Sequence, residues 1–226
     1  MEKLVKFRKW IAENWQLAIC VCLLVVFGVF GAIELVNVAS RDRYRHYTSF
    51  EIYQETNKLI YDSIKLSLVD EVDNYISNVA KTSALNGLVV VNKCLEYDID
   101  ICFVLAQGEQ ESHFGTQGLA RKTNSVFNVF AFDGHDYNMI NSNGKYAHPN
   151  DCVEPYLKLL KRDYLVDGKT EYDMLKKYVN KHGQRYASSP EYEKILFDKV
   201  NKIRTNTNID ITYQELKKQA LIIGMD

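Results

Sequence analysis

From Trp15 to Ile33 the chain carries no charged residue, and the apolar run continues to Val38 with Glu34 as its one charge. About 20 apolar residues suffice to cross the hydrocarbon core of a bilayer as a helix. A removable signal peptide has a shorter apolar stretch and a small-residue cleavage site, whereas this run passes Gly31 and Ala32 and goes on into Glu34. The expectation is an uncleaved transmembrane signal-anchor over 15–38, preceded by a cytoplasmic N-terminus over 1–14. Lys3, Lys6, Arg8 and Lys9 lie before the run and Arg41, Arg43 and Arg45 after it. That small excess favours an inside N-terminus and places everything downstream outside the cytoplasmic membrane.

The charge of the whole chain hides this division. Its 226 residues sum to −1, with 46% apolar and 12% aromatic residues, a composition suited to one folded domain and an appendage. Of the 28 Lys and Arg and 29 Asp and Glu, seven and four lie in the first 49 residues, which leaves 21 and 25 and a net −4 for the rest. A mildly acidic domain is not drawn to an anionic polymer by charge, and no nucleic-acid motif is present, so nucleic acid is not an expected partner. The five Cys include no paired spacing of the kind that binds zinc and the five His are scattered, so neither a metal nor another cofactor is expected. Cys94 and Cys102 are read either as a disulfide or as two buried thiols.

Beyond the apolar run, Ile52, Leu59, Ile60, Ile64, Leu68, Val72, Tyr75, Ile76 and Val79 recur at three- and four-residue steps, which predicts a helix over 50–81. It is read as a stalk or as the first helices of the domain. Thr82 and Ser83 are a candidate N-cap for a helix through ALNGLVVVNKCLEYD, and ICFVLAQGEQES predicts a second, ended by the glycine of His113-Phe114-Gly115. SVFNVFAF, over 125–132, has the β-branched and aromatic content of a strand, and Asn143-Gly144 signals a tight hairpin. Helical spacing returns from Cys152 to Leu160, from Tyr172 to Val179, from Pro190 to Ile203 with proline at a favoured first position, and from Ile211 to Ile222.

The helix ending LAQGEQES places Val104, Gly108 and Glu111 on one side, since seven residues make about two turns. A carboxylate at the last turn of an apolar helix is held partly out of water, which disfavours its charged form and suits a general acid of glycoside cleavage. Gly108, one turn earlier, is expected to leave room for a bulky ligand. The alternative for Glu111 is an ordinary surface acid at a helix end.

The surrounding residues carry a resemblance. LAQGEQESHFGTQGLARKTNSVFNVFAF, through Leu105-Ala106-Gln107, Glu111-Ser112, Gly115, Leu119-Ala120, Asn124 and Phe127, resembles the signature of the glucosaminidase family of bacterial and phage endo-β-N-acetylglucosaminidases, the flagellar-muramidase-like and Bax-like group. KYAHPNDCVEPYLKLL resembles that family's helix after the β lobe. GQRYASSPEYEKIL resembles its closing motif, with Tyr186, Pro190 and Tyr192 in place. The resemblance covers about Leu85 to Ile203.

It implies a lysozyme-like α+β fold, mainly helical with a small β-hairpin lobe, as a catalytic domain over 83–205, between helices over 39–82 and an extension over 206–226. It implies a hydrolase of peptidoglycan glycan strands, with Glu111 as the acid that protonates the glycosidic oxygen and Tyr186 as a tyrosine that positions substrate or steadies developing positive charge. Asn124 matches an asparagine that shapes the cleft. Phe114 stands where many members have Trp, and Asn128 where they have Gly after the strand Phe; the first, with Phe127, Tyr137 and Tyr146, is a candidate for substrate contact. Glycoside hydrolysis usually takes two carboxylates. Asp133 and Asp136 are the candidates for the second, with turn-forming residues as their equal alternative. Glu154 is read as a capping or salt-bridging residue, and His113 and His148 as structural. The same fold also admits a muramidase, a lytic transglycosylase or a catalytically silent wall-binding module. Peptidoglycan lies outside the membrane, in agreement with the orientation read from the flanking charges.

Overall fold

The computed structural model describes Asn14 and residues 49–130, 136–176 and 178–224. The apolar run over 15–38 lies outside the described residues, and among the described residues no helix is long and apolar enough to cross a membrane. The chain divides into two compact units, 1–56 and 57–226, and the architecture that follows is that of the second, to which the first helix below contributes from Asn57 onward.

It is built from helices: α1 (Ser49–Val79), α2 (Gly87–Glu96), α3 (Ile101–Ser112), α4 (Ala120–Thr123), α5 (Val153–Leu159), α6 (Glu171–Lys176), α7 (Tyr192–Asn206) and α8 (Ile209–Ile222). Helix α3 is the centre, packed against α2, α7 and α8. Every residue from Ile101 to Gln107 is at most 1% exposed, and a helix apolar all round must be covered on all sides. Asp100 caps its start by accepting from the Phe103 N–H at 3.0 Å, and Tyr213 of α8 donates its hydroxyl to the carbonyls of Cys94 and Ile99 just before it. From Tyr61 onward α1 joins the same core through Leu68, Val72, Ile76 and the following Ala80, so it is a wall of the domain rather than a free stalk. Cys94 and Cys102 are free, buried thiols.

Capping departs from expectation at two places. Asn86, not Ser83, caps α2, accepting from the Leu88 N–H at 2.8 Å; Ser83 donates its hydroxyl to the Phe114 carbonyl at 2.7 Å. Helix α7 begins at Tyr192, so Pro190 stands in the turn before it rather than in its first turn.

The expected hairpin lobe is absent among the described residues. The one β-pairing among those residues is an isolated antiparallel bridge between Val179 and Arg185. Residues 125–130 are turns, with left-handed backbone at Asn124 (φ 54°), Asn128 (φ 48°) and Phe130 (φ 64°). Val126, Phe127 and Val129 are buried there as successive anchors of a folded-over segment, so their apolar character serves the core of a helical domain rather than one face of a sheet. Asn143-Gly144 lies in a 3-10 turn, Ser142–Gly144, and a Cβ on Gly144 would meet the Val129 carbonyl oxygen at 2.9 Å. Here the glycine permits close approach of two loops rather than a hairpin.

Gly108 is likewise spoken for by the protein. A Cβ there would lie 3.1 Å from the Phe114 ring and 3.2 Å from a Val126 methyl, so the space left by the missing side chain is filled by core groups, not reserved for a ligand. Gly108→Ala is expected to destabilise the domain by about 1–3 kcal/mol, the range for overfilling a packed site. Urea denaturation would measure it, and an unchanged midpoint would show that Phe114 and Val126 give way freely.

Candidate active site

Helix α3 ends at Ser112 because His113 and Phe114 both turn left-handed (φ 47° and 52°), with the N–H groups of His113 and Phe114 bonding back to the carbonyls of Glu109 and Gly108. Glycine at 115 only continues a reversal begun by these two. Ser112 then holds the next segment: its hydroxyl donates to the Val126 carbonyl and accepts from the Gly115 N–H, both at 2.7 Å. This brings the turn at Asn128 over the end of α3. The Asn128 amide donates to the Glu111 carbonyl at 2.8 Å and, more weakly, to Glu111 Oε2 at 3.4 Å. Left-handed backbone at 128 suits asparagine, the side chain besides glycine that best tolerates it.

On its other side Glu111 Oε1 accepts a hydrogen bond from the Tyr192 hydroxyl at the start of α7. Tyr192 accepts in turn from Gln107 Nε2 at 3.0 Å, and Gln107 Oε1 accepts from both Tyr156 of α5 and Tyr178, the latter at 2.8 Å. Gln107, Tyr156 and Tyr178 are completely buried, and Tyr192 nearly so. Burial raises the Glu111 carboxyl above the ordinary carboxylate range, with the bonds from Tyr192 and Asn128 offsetting part of the rise. Burial also pushes the hydroxyls of Tyr156, Tyr178, Tyr186 and Tyr192 well above the usual phenol range, so each keeps its proton. A carboxyl that stays protonated at milder acidity, at a helix end, has the chemistry of a general acid.

The family profile described as "Glucosaminidase: Mannosyl-glycoprotein endo-beta-N-acetylglucosaminidase" matches residues 87–205. The chain belongs to the glucosaminidase family. No curated protein matches it. The matched stretch holds Gln107, Glu111, Asn128, Tyr156, Tyr178, Tyr186 and Tyr192, so the whole hydrogen-bonded cluster lies within the glucosaminidase domain.

Of the residues expected at the glucosaminidase site, Glu111 and Tyr186 come near one another but are not joined by a hydrogen bond. The Tyr186 hydroxyl donates to the Phe127 carbonyl at 2.5 Å, and its half-buried ring lies 6.2 Å from that of Tyr192 and 5.0 Å from that of Tyr178. It is Tyr192, six residues later in the same motif, that bonds to the acid. Phe114 and Phe127 are each 1% exposed. One packs edge-on against Tyr75 and the other stacks on Tyr156 at 3.8 Å, so both belong to the core and neither offers a face to a sugar. Tyr156 itself is fully buried.

Asn124 shapes the backbone: its amide donates to the carbonyls of Tyr146 and Ala147 at 2.9 and 3.1 Å. The Tyr146 ring is half-buried against the core and its hydroxyl is buried with no partner. Tyr137 is exposed, with the Lys145 ammonium 4.2 Å from its ring centre. Asp133 lies outside the described residues. Asp136 is exposed, and its carboxylate accepts from the N–H groups of Asn138 and Met139 at 2.8 and 3.2 Å, the turn-forming role. Glu154 makes ion pairs with Lys93 and Lys158, both at 2.7 Å, and His148 caps a 3-10 turn by accepting from the Asn150 N–H. Among the described residues no group of three or more His, Cys, Asp or Glu could hold a metal ion. A polar groove of about 690 Å³ passes Ser83, Gly115, Gln117, Arg121, Asn124 and His148, but Glu111 does not line it.

Sequence pattern does not single out Gln107, Tyr178 or Asn128 as neighbours of Glu111. Gln107 and Tyr192 lie inside the motifs that carry the resemblance, which was the available signal; Tyr178 had none, because its place beside Gln107 is made by a contact 71 residues away.

Proposed function

We propose that the domain is an endo-β-N-acetylglucosaminidase of peptidoglycan, in which Glu111 protonates the leaving glycosidic oxygen. The observation that carries this reading is the Glu111 carboxyl itself: at the end of a buried helix, raised by its enclosure, and held at Oε1 by Tyr192. Membership of the glucosaminidase family supplies the reaction class. A raised acid works below its pKa, so the rate should be high in acid and fall as pH rises through the folded pKa of Glu111. Tyr186, half-buried beside Tyr192, is suited to line the adjoining subsite.

Digestion of purified wall by the fragment from about Thr48 onward, with mass spectrometry of the products, tests the bond. New reducing ends on N-acetylglucosamine support the proposal, and reducing N-acetylmuramic acid would replace it with a muramidase. A lytic transglycosylase is the second reading, favoured by one observation: among the described residues no other carboxylate figures in what shifts Glu111. One acid suffices for that reaction, and anhydromuramic ends would identify it. No release at all would leave a wall-binding module.

For the same reason Asp136→Asn is expected to keep the parent rate, because Asn accepts the same two backbone bonds that cap the turn. A collapse of activity on that substitution would instead make Asp136 the second acid. The apolar run over 15–38 is proposed as a membrane anchor that holds the domain outside the cytoplasmic membrane, within reach of the wall. Carbonate extraction of membranes from cells making the full chain, with protease added from outside, tests both parts.

A further inference from the structure

We propose that Gln107 is a positioning residue: its amide fixes Tyr192 as a donor to Glu111 Oε1, so that the proton given to the glycosidic oxygen resides on Oε2. The inference rests on Glu111 being the general acid.

Two hydroxyl protons, from Tyr156 and Tyr178, converge on one oxygen of the Gln107 side chain. An amide oxygen accepts two hydrogen bonds and an NH₂ group accepts none, so with the oxygen on this side both tyrosine protons have an acceptor that the reversed amide would not supply. The NH₂ group is thereby turned to Tyr192 and occupies the accepting side of its hydroxyl. Tyr192 has one proton left, and Glu111 Oε1 is its acceptor. Were the amide reversed, Tyr192 would spend its proton on Gln107. The acid would then be free to carry its own proton on Oε1, pointing into the core, where no substrate reaches. With the amide as found, Oε1 is occupied by a donor and a protonated carboxyl must carry its hydrogen on Oε2. There the neighbour is the Asn128 amide at 3.4 Å, a weak contact that leaves the oxygen available.

Among the described residues the titratable groups facing Glu111 are all phenols: Tyr178 and Tyr186 from the segment before α7, and Tyr192 from α7 itself. Asn128, from the turn over α3, is neutral. Because the tyrosines keep their protons, the direction of the chain of bonds is set by Gln107 and does not reverse through ionisation.

The test compares Gln107→Met with Gln107→Glu in the fragment from about Thr48 onward. In so enclosed a place a glutamic acid is protonated, and its O–H replaces the amide N–H toward Tyr192 while its carbonyl serves the other two tyrosines. Gln107→Glu is therefore expected to keep kcat near the parent value. Gln107→Met is expected to lower kcat about tenfold with KM unchanged, a part of the contribution of a positioned acid. It should also move the alkaline limb of the pH–rate profile upward, because the protonated carboxyl gains a bond to Tyr192 from Oε1.

If Gln107→Met does not fold, the same measurements are made with Tyr156→Phe and Tyr178→Phe added, which removes the hydroxyls that it would orphan. A folded Met variant with an unshifted limb, or Met and Glu variants that lose activity equally, would overturn the proposal. Carbon-13 NMR titration of the Glu111 carboxyl in parent and variants needs no turnover. Should the parent prove inactive on wall, the general-acid reading fails while the titration still reads whether Gln107 governs Glu111.

Discussion

Glu111→Gln is expected to lower wall hydrolysis by about 10²–10⁴-fold, the usual contribution of a positioned acid. The amide has nearly the shape of the carboxyl and its oxygen can still accept from Tyr192, so the fold should persist. Stability supplies an independent sign. A carboxyl whose pKa is raised in the folded state binds more protons folded than unfolded within that window, so its ionisation costs stability as pH rises through the window. Removing the charge should make Glu111→Gln at least as stable as the parent at pH 7, with the difference vanishing in acid where the parent is protonated. Rates on purified wall and thermal melts at pH 4 and 7 check both halves. Parent-like activity would end the assignment of Glu111; a less stable variant at neutral pH would show that its ionised form is better held than its enclosure implies.

Lys199→Met is expected to cost about 3 kcal/mol at pH 7, at the lower end for breaking a buried ion pair because Lys199 is 22% exposed. Glu109 lies two positions before the acid on the opposite side of α3, with only 9% of its side chain exposed. It is bonded by Lys199 of α7 and by the Tyr75 hydroxyl of α1, so one carboxylate joins three helices. Burial pushes its pKa up, but Lys199 and Tyr75 outweigh that and the net shift is downward. Its contribution is therefore present at neutral pH and lost as pH falls through the lowered folded pKa. Without Lys199 the carboxyl is protonated at higher pH than in the parent. The deficit of the variant should shrink between pH 7 and pH 4, and adding Glu109→Gln should recover much of it. Urea denaturation at the two pH values measures this, and a deficit that is small or independent of pH would contradict it.

The pair Glu109 and Glu111 shows where sequence reading reaches its limit. Both are acids near the end of one apolar helix, and periodicity alone cannot tell the structural one from the candidate acid. What separates them is what stands opposite: an ammonium in one case and a neutral phenol in the other, both brought by α7 from more than 80 residues away. The same limit explains Phe114 and Phe127. Their motif positions suggested sugar contacts, but a positive-φ reversal after Ser112 turns the first inward and the turn at 125–130 does the same for the second. Strand propensity in SVFNVF described residues that fit a half-buried surface, and a helical core provides such a surface as well as a sheet does.

Residue order alone determined the helices, because three- and four-residue apolar spacing is a local property that burial in any helical domain rewards. It also determined the family, because several motifs in the right succession are specific in a way that no single residue is. Tertiary structure alone decided which groups surround Glu111. Hydrogen bonds from Tyr192 and Asn128, the orientation of Gln107 between Tyr156 and Tyr178, and the exclusion of water that raises the carboxyl all arise between segments distant in the chain. Their energies depend on distance and enclosure in space, and neither is written in the spacing of residues along the sequence.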